Sequence, residues 1–229
     1  MFKWFRKNLD LGCRLFTTDK SEFGTAGCIV QKDGVRHILT CRHVVADKDS
    51  AEPVESSRVH MMGHGGQSID VGRVFEFGSS DSPQEDWALV RLEGDGAAIS
   101  NRIPHIVGHL HPKPFALNEL SIGMKVRKFG AMSKLTAGEI SGISISLSEV
   151  NDEDSNVGMI QIVPFYDGQH RGEKYDRFCQ KGDSGSLVVS CERPCRPVGL
   201  LQKRGTGVIG RGFAICLDEI AKNTSIHLD

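Results

Sequence analysis

The most restrictive feature of this sequence is its succession of short apolar runs interrupted by glycine and polar turns. Such runs, rich in Val, Ile and Leu, predict short β-strands. No long helical pattern alternates with them, so a parallel α/β sheet is not expected. The 229 residues suffice for one large domain with a substantial core, and 26 glycines supply the turns. The sequence therefore predicts an all-β fold, with strands at 24–32, 35–41, 69–77, 87–92, 124–129, 138–147, 159–165, 186–190, 197–203 and 211–216.

Turn and loop signals separate these strands, and one long connector divides them into two groups. Asp33-Gly34 separates the first two runs, and this dipeptide is the strongest short-range signal for a β-hairpin. Residues 45–57 and 78–85 are polar and predict loops. Residues 104–121 are interpreted as a connector between two halves of the chain, and the acidic stretch 148–155 as a solvated turn.

Helices are expected only at the two ends of the chain. Residues 1–16 place apolar side chains three and four residues apart, with basic residues between them, which predicts a short amphipathic helix. Packing of this helix on the domain is the favoured interpretation, and binding to a membrane surface is the alternative. Residues 217–228 predict a closing helix, with Asp218 and Glu219 in its first turn.

The net charge limits the classes of partner that we expect, and the N-terminal residues indicate the compartment. Twenty-eight basic and 29 acidic residues give a net charge of -1, so attraction to nucleic acid or to anionic membranes is not indicated. No stretch approaches the roughly 18 apolar residues of a membrane-spanning helix. Charges interrupt the N-terminal stretch, so it lacks the apolar centre of a secretory signal. We therefore expect a cytoplasmic protein.

Cysteine and histidine spacings give little support for a metal or a disulfide. The cysteine count is odd, at seven, and only Cys191 and Cys195 lie close together. This pair is interpreted as buried or idle thiols, with a disulfide or a metal fragment as the alternative. His60 and His64 have the spacing of helical metal ligands, but their segment is glycine-rich and does not predict a helix. No metal and no cofactor are expected.

Three motifs carry catalytic chemistry when they are taken together. Gly182-Asp183-Ser184-Gly185 places a serine between glycines, which allows a sharp turn that exposes the hydroxyl. The amides of Gly182 and Ser184 would then form an oxyanion hole. His43 follows an apolar run, and Asp86 precedes another. Each motif alone also fits a plain structural role: a glycine-rich turn, a packed histidine or a loop carboxylate.

The chain order His43, Asp86, Ser184 resembles that of the trypsin-like (chymotrypsin-fold) serine proteases. The motif Asp-x-Ala-Leu at 86–89 and Gly-Asp-Ser-Gly at 182–185 match that family's pattern. Residues 24–45, 138–143 and 212–220 are similar to its HtrA-like and related bacterial branch. The resemblance covers about 22–222 and includes no PDZ-like segment.

The resemblance implies two six-stranded β-barrels with an active site between them. An N-terminal amphipathic segment, 1–20, would precede a protease domain at 21–229. The first barrel would span about 21–115 and the second about 120–216, followed by the helix at 217–228.

The resemblance also implies a serine endopeptidase that acts on protein or peptide substrates through an acyl-enzyme. His43 would be the base, Asp86 would orient it, and Ser184 would be the nucleophile. A catalytically silent binding module with the same fold is the alternative.

Two departures from the digestive members of the family bear on activation. Those enzymes pair a newly cut N-terminal amine with the aspartate before the serine, but no Ile-Val-Gly-Gly start occurs here. Asp183 must therefore find other donors, and no N-terminal cleavage is expected. The family's disulfide cysteine directly follows the catalytic histidine, where this chain has Val44. We therefore expect Cys28 and Cys41 to be free thiols.

The resemblance gives a less definite specificity pocket. Phe178 and Cys179 would lie near its floor, and Gly212 would belong to its rear wall. Residues 202–204 (Gln202, Lys203, Arg204) would line the bound substrate strand. Phe178 favours a small apolar substrate side chain, whereas Lys203 and Arg204 favour an acidic one, and both alternatives stay open.

Overall fold

A computed structural model describes residues 10–47, 49–53, 57–63, 66–94, 96, 99–106, 110–145, 159–165, 177–204 and 210–229. These residues form two antiparallel β-systems and two short α-helices. The strands are β1 (Arg14–Thr17), β2 (Gly24–Thr25), β3 (Cys28–Lys32), β4 (Val35–Thr40), β5 (Arg58–Met62), β6 (Ser68–Phe77), β7 (Ala88–Leu92), β8 (Lys125–Gly130), β9 (Lys134–Ile145), β10 (Met159–Pro164), β11 (Leu187–Ser190), β12 (Pro197–Arg204), β13 (Gly212–Cys216) and β14 (His227–Leu228). The α-helices are α1 (Arg42–Val45) and α2 (Leu217–Thr224), and 3₁₀ turns cover Pro83–Glu85 and Leu117–Glu119.

The first half of the chain forms a curled, open sheet and not the closed six-stranded barrel that was predicted. Its eight strands run in the order β14-β3-β4-β7-β6-β5-β1-β2. The sheet stays open because two-residue strands lie at both edges, and β14 arrives there from the C-terminus, with His227 opposite Gln31. The Asp33-Gly34 hairpin is confirmed: both residues have positive φ, 52° and 73°, as a type I′ turn requires.

The second half forms the predicted six-stranded barrel. It closes in the order β10-β13-β12-β11-β8-β9. Its interior is filled by alternating apolar side chains, including Val126, Ile140 and Ile160, all fully buried. In β8 the alternation places Lys128 on the same buried face as Val126.

The chain ends differ from the helices that the sequence predicts. Residues 1–9 lie outside the described part, but Arg14–Thr17 is the strand β1, so no helix reaches residue 16. At the other end, Ser225 adopts a left-handed conformation (φ 57°, ψ 33°), which ends α2 at Thr224 and redirects the chain into β14. The predicted helix at 217–228 is therefore too long, because its last residues turn away and form β14.

Two further elements of the first half were not predicted. The strand β5 follows the loop assigned to 45–57, and α1 begins directly after β4. The acidic stretch 148–155 lies outside the described residues. Among the described residues, no helix has both the length and the apolar character needed to cross a membrane.

Candidate active site

The short helix α1 presents His43 at the end of a buried strand. Val44 and Val45 face the core, whereas the His43 side chain keeps 38% of its surface exposed. Lys20 Nζ donates to the carbonyl oxygens of His43 and Ala46, at 2.9 and 2.6 Å. Because a helix of one turn has few hydrogen bonds of its own, this cation fixes the end of α1 where the dipole favours positive charge.

Asp86 holds His43 with both of its carboxylate oxygens. Oδ1 accepts the backbone N–H of His43 at 2.9 Å, and Oδ2 lies 2.7 Å from His43 Nδ1. In the neutral imidazole, Nδ1 carries the proton and donates a hydrogen bond to the carboxylate. The other ring nitrogen, Nε2, is then left as an acceptor. This is the tautomer that a general base requires.

The loop around Ser184 is shaped by two glycines with positive φ. Gly182 has φ 96° and Gly185 has φ 91°, and the serine between them is half-buried. The amides of Asp183 and Gly185 donate to Gln180 O and Leu201 O at 3.0 and 2.7 Å. Within the described residues, the amides of Gly182 and Ser184 donate to no acceptor, so both remain available to an anionic oxygen.

Contacts from β2 and from the end of β4 hold the Ser184 loop in place. Thr25 N donates to Ser184 O at 2.8 Å, and Thr25 Oγ1 donates to Gly182 O at 2.9 Å. A Cβ at Gly185 would lie 3.3 Å from the backbone nitrogen of Cys41, two residues before His43. The fold thus packs the Ser184 loop against the end of β4 and Cys41, two residues before the His43 that Asp86 holds. No hydrogen bond joins the Ser184 hydroxyl to His43 in the described part of the chain.

Asp183 is fully buried and is held by an internal cation. Lys128 Nζ lies 3.1 Å from its carboxylate, and both side chains are 0% exposed. Ser133 Oγ donates to Asp183 Oδ2 at 2.6 Å. The backbone amides of Met132, Ser133 and Gln180 donate to the carboxylate at 2.9, 3.0 and 2.8 Å. These groups are the donors that we expected Asp183 to find in place of a new N-terminal amine. Lys128 was not predicted from the sequence as one of them.

The environment of Asp183 favours its charged form. Burial raises the pKa of this carboxyl, but the Lys128 charge and the hydrogen bonds from Ser133 and Gln180 outweigh it and leave the pKa below its usual value. Burial lowers the pKa of Lys128, and Asp183 offsets part of that shift. The ion pair therefore anchors the loop that carries Ser184.

The predicted pocket residues fall into three groups. Gln202 lines an open cavity of about 620 Å³ together with His43 and Asp86. Phe178 and Cys179 are buried, and a Cβ at Gly212 would lie 2.9 Å from the Phe178 ring, so these three positions pack inside the second barrel. The backbones of Lys203 and Arg204 belong to β12, but their side chains are outside the description. Substrate contact at these six positions stays a prediction.

All seven cysteines are free thiols in this structure. Cys28 and Cys41 are both fully buried, and burial raises the pKa of Cys28 to about 12. Cys191 is exposed and Cys195 is buried, and no disulfide joins them.

The whole described architecture is similar to solved serine proteases. One is a glutamic acid specific serine protease, with a TM-score of 0.64 and 16% identity over 96% of this chain and 100% of that chain. Protease A of Thermobifida fusca gives a TM-score of 0.60 and 16% identity over 96% and 98%. The fold is that of the chymotrypsin-like serine proteases.

A further solved serine protease is matched over only part of its own length. The serine endoprotease from Yersinia pestis gives a TM-score of 0.51 and 17% identity, over 91% of this chain and 59% of that one. No protein-family model and no curated protein sequence matches the chain. At these identities the similarity shows the chymotrypsin-like fold, and the chemistry has to be argued from the site itself.

The contact between Lys20 and α1 leads to a prediction about turnover. For the peptide hydrolysis expected from the sequence, replacing Lys20 by Met should lower kcat about 10- to 100-fold, because misplacing a catalytic group by about 1 Å has this effect. KM should change little, since the contacts of Lys20 Nζ are the carbonyls of His43 and Ala46 and the Asp47 carboxylate. Steady-state kinetics measure both constants. Lys222→Met on the exposed face of α2 is the control, and equal effects of the two variants would exclude a positioning role for Lys20.

Proposed function

We propose that this chain is a serine endopeptidase that cleaves protein or peptide substrates. The observation that carries the proposal is the double contact of Asp86 with His43, beside a loop that leaves the amides of Gly182 and Ser184 without acceptors. The first contact sets the tautomer of a base, and the second feature supplies dipoles where negative charge develops. The chymotrypsin-like fold adds independent support.

Each residue has one task in the proposed first half-reaction. Ser184 Oγ attacks the carbonyl carbon of the scissile peptide while its proton passes to His43 Nε2. The carbonyl oxygen becomes an oxyanion and receives hydrogen bonds from the amides of Gly182 and Ser184. Asp86 stabilises the imidazolium through the 2.7 Å contact with Nδ1. The C–N bond then breaks, and His43 gives its proton to the leaving amine.

The second half-reaction uses the same groups with water in place of Ser184. His43 removes a proton from water as the water attacks the acyl-enzyme, and Ser184 Oγ takes that proton back when the ester C–O bond breaks. His43 is about one-third exposed toward the open cavity, so water reaches it directly. Because the loop is already anchored by Lys128 and Asp183, the oxyanion donors are in place before substrate binds.

A silent binding module is the second candidate, since no hydrogen bond joins Ser184 to His43 in the described residues. In substrate-free sites this bond is often long and tightens in the complex. Digestion of an unfolded protein substrate separates the two candidates. An endopeptidase releases internal peptides that mass spectrometry identifies, and a binding module leaves the substrate intact. Peptides with Glu or Ala before the scissile bond then compare the two open specificities.

Replacing Asp86 by Asn should lower kcat about 10⁴-fold. The amide has nearly the same shape as the carboxylate but places an N–H₂ donor against Nδ1. His43 must then accept at Nδ1 and carry its proton on Nε2, where it cannot receive the proton of Ser184. Stopped or steady-state peptide assays measure the loss. Glu85→Gln, next in sequence, is the control: its amide oxygen can still accept the Ser79 N–H, so kcat should stay within about threefold.

A further inference from the structure

A cysteine thiol with no task in the proposed mechanism lies beside the catalytic pair. One ligand atom each from Cys41, His43 and Asp86 lie within 4.8 Å of one another. Cys41 is buried between β4 and α1, and its Sγ donates to Leu201 O at 3.2 Å. Three different metal-binding groups therefore converge at one point of the cleft.

The set of ligands matches one class of ion. Thiolate, imidazole and carboxylate together suit Zn²⁺, whereas Mg²⁺ and Ca²⁺ take oxygen ligands alone. Tetrahedral zinc with bonds of about 2.0–2.3 Å holds its ligand atoms about 3.3–3.6 Å apart. His43 Nδ1 and Asp86 Oδ2, at 2.7 Å, would have to separate by less than 1 Å. Cys41 Sγ, which lies at most 4.8 Å from the other two ligand atoms, would have to approach them by at most about 1.5 Å.

The surroundings let an ion reach the site, and they leave Leu201 O with a second donor when the Cys41 thiol moves away. His43 and Asp86 both line the open cavity, with 38% and 15% of their side chains exposed. An ion therefore meets the imidazole first, and a water molecule from the cavity can fill a fourth position. When the thiol leaves Leu201 O, that carbonyl keeps the amide of Gly185 as a donor at 2.7 Å. Ligation by Cys41 thus strands no buried acceptor.

We propose that Cys41, His43 and Asp86 form an inhibitory Zn²⁺ site built into the catalytic cleft. Binding releases the Cys41 thiol proton to water, the His43 proton moves from Nδ1 to Nε2 through solvent, and no electron is transferred. The ion then occupies His43 Nδ1 and the Asp86 carboxylate, and the proton on Nε2 prevents His43 from accepting the proton of Ser184. The inhibitory consequence rests on the proposed peptidase function, whereas the binding itself does not.

The binding is tested with Co²⁺, which substitutes for Zn²⁺ and reports a thiolate ligand by a charge-transfer band in the near ultraviolet. The wild-type chain should bind one Co²⁺ with this band, and added Zn²⁺ should abolish it. Cys41→Ala and Cys41→Ser should both lack the band, and Cys41→Ser preserves the side-chain volume if the alanine variant folds poorly. Cys191→Ser should keep the band. Absence of the band from the wild type, or its persistence without Cys41, would overturn the proposal.

The inhibition is tested separately with Zn²⁺ and a peptide substrate, each variant being normalised to its own metal-free rate. Losing the thiolate should weaken inhibition at least about tenfold, since even the partners of metal ligands contribute 10- to 100-fold to affinity. Chelation should restore the rate. Equal zinc sensitivity of the wild type and the Cys41 variants would overturn the inhibitory role. If no peptidase activity exists, the cobalt band still decides whether the site binds metal.

Discussion

Replacing Ser184 by Ala is expected to lower kcat/KM for peptide hydrolysis by at least about 10⁴-fold, because no other group can form the acyl-enzyme. The fold should persist, since the Ser184 side chain is half-buried and its hydroxyl makes no hydrogen bond within the described residues. The backbone contact from Thr25 N to Ser184 O survives the change. Unfolding in urea should therefore shift by less than about 1 kcal/mol.

The matched control for this prediction is Ser80→Ala. Ser80 is an exposed serine that lines the cavity of His43 and Asp86, so its loss should leave kcat/KM within about threefold. The double variant with His43→Ala should be about as inactive as either single variant, because the residues act as a unit. Losses that simply multiply in the double variant would contradict the triad.

Replacing Lys128 by Met should cost about 3–5 kcal/mol of unfolding free energy, because it leaves the buried Asp183 carboxylate without its counter-charge. Both side chains are fully buried, so water cannot take the place of the ammonium. The loop from Gly182 to Ser184 should also lose its order, and kcat should fall with it. Urea unfolding and peptide kinetics on the same preparations measure the two effects.

Lys125→Met is the control, since this lysine lies on the same strand and pairs with Glu139 at the partly exposed surface. Surface pairs contribute about 0–1 kcal/mol, so the control should stay near the wild type. If Lys128→Met unfolds like Lys125→Met and retains its kcat, the internal ion pair does not anchor the loop.

The same pair gives the chain a defined response to acid. The folded pKa of Asp183 lies below its usual value, so its stabilisation is present above the unfolded pKa of about 3.9 and is lost as pH falls through the folded value. Without Lys128 the folded pKa should rise toward the unfolded one. The acid-unfolding midpoint of Lys128→Met should therefore move to higher pH.

Local patterns predicted the parts of the fold that local chemistry determines. The Asp33-Gly34 turn requires positive φ at two positions, so the sequence alone indicated it. The prediction of a closed first barrel was wrong because β14 joins the first sheet from the far end of the chain. A strand of two residues, His227 and Leu228, has no sequence pattern that identifies β3 as its partner. The end of α2 at Thr224 was missed because a serine such as Ser225 gives no sequence signal for the left-handed conformation that it adopts.

The candidate site was predictable where a motif carries the chemistry and was missed where distant contacts do. His43, Asp86 and Ser184 follow from their motifs and order. One sequence signal could have identified Lys128. This lysine lies two residues after Val126, so both side chains point to the same buried face of β8, and a buried charge needs a partner. Thr25 had none, because its bond to Gly182 O joins residues 157 positions apart.

Labelling with a fluorophosphonate probe, followed by peptide mapping, tests the central claim most directly. The probe bonds only to a serine that is activated by a base beside an oxyanion hole. We predict stoichiometric attachment to Ser184, with none in Ser184→Ala or His43→Ala and full labelling in Ser80→Ala. A folded wild-type chain that takes up no probe, or that carries it on a serine other than Ser184, would contradict the account.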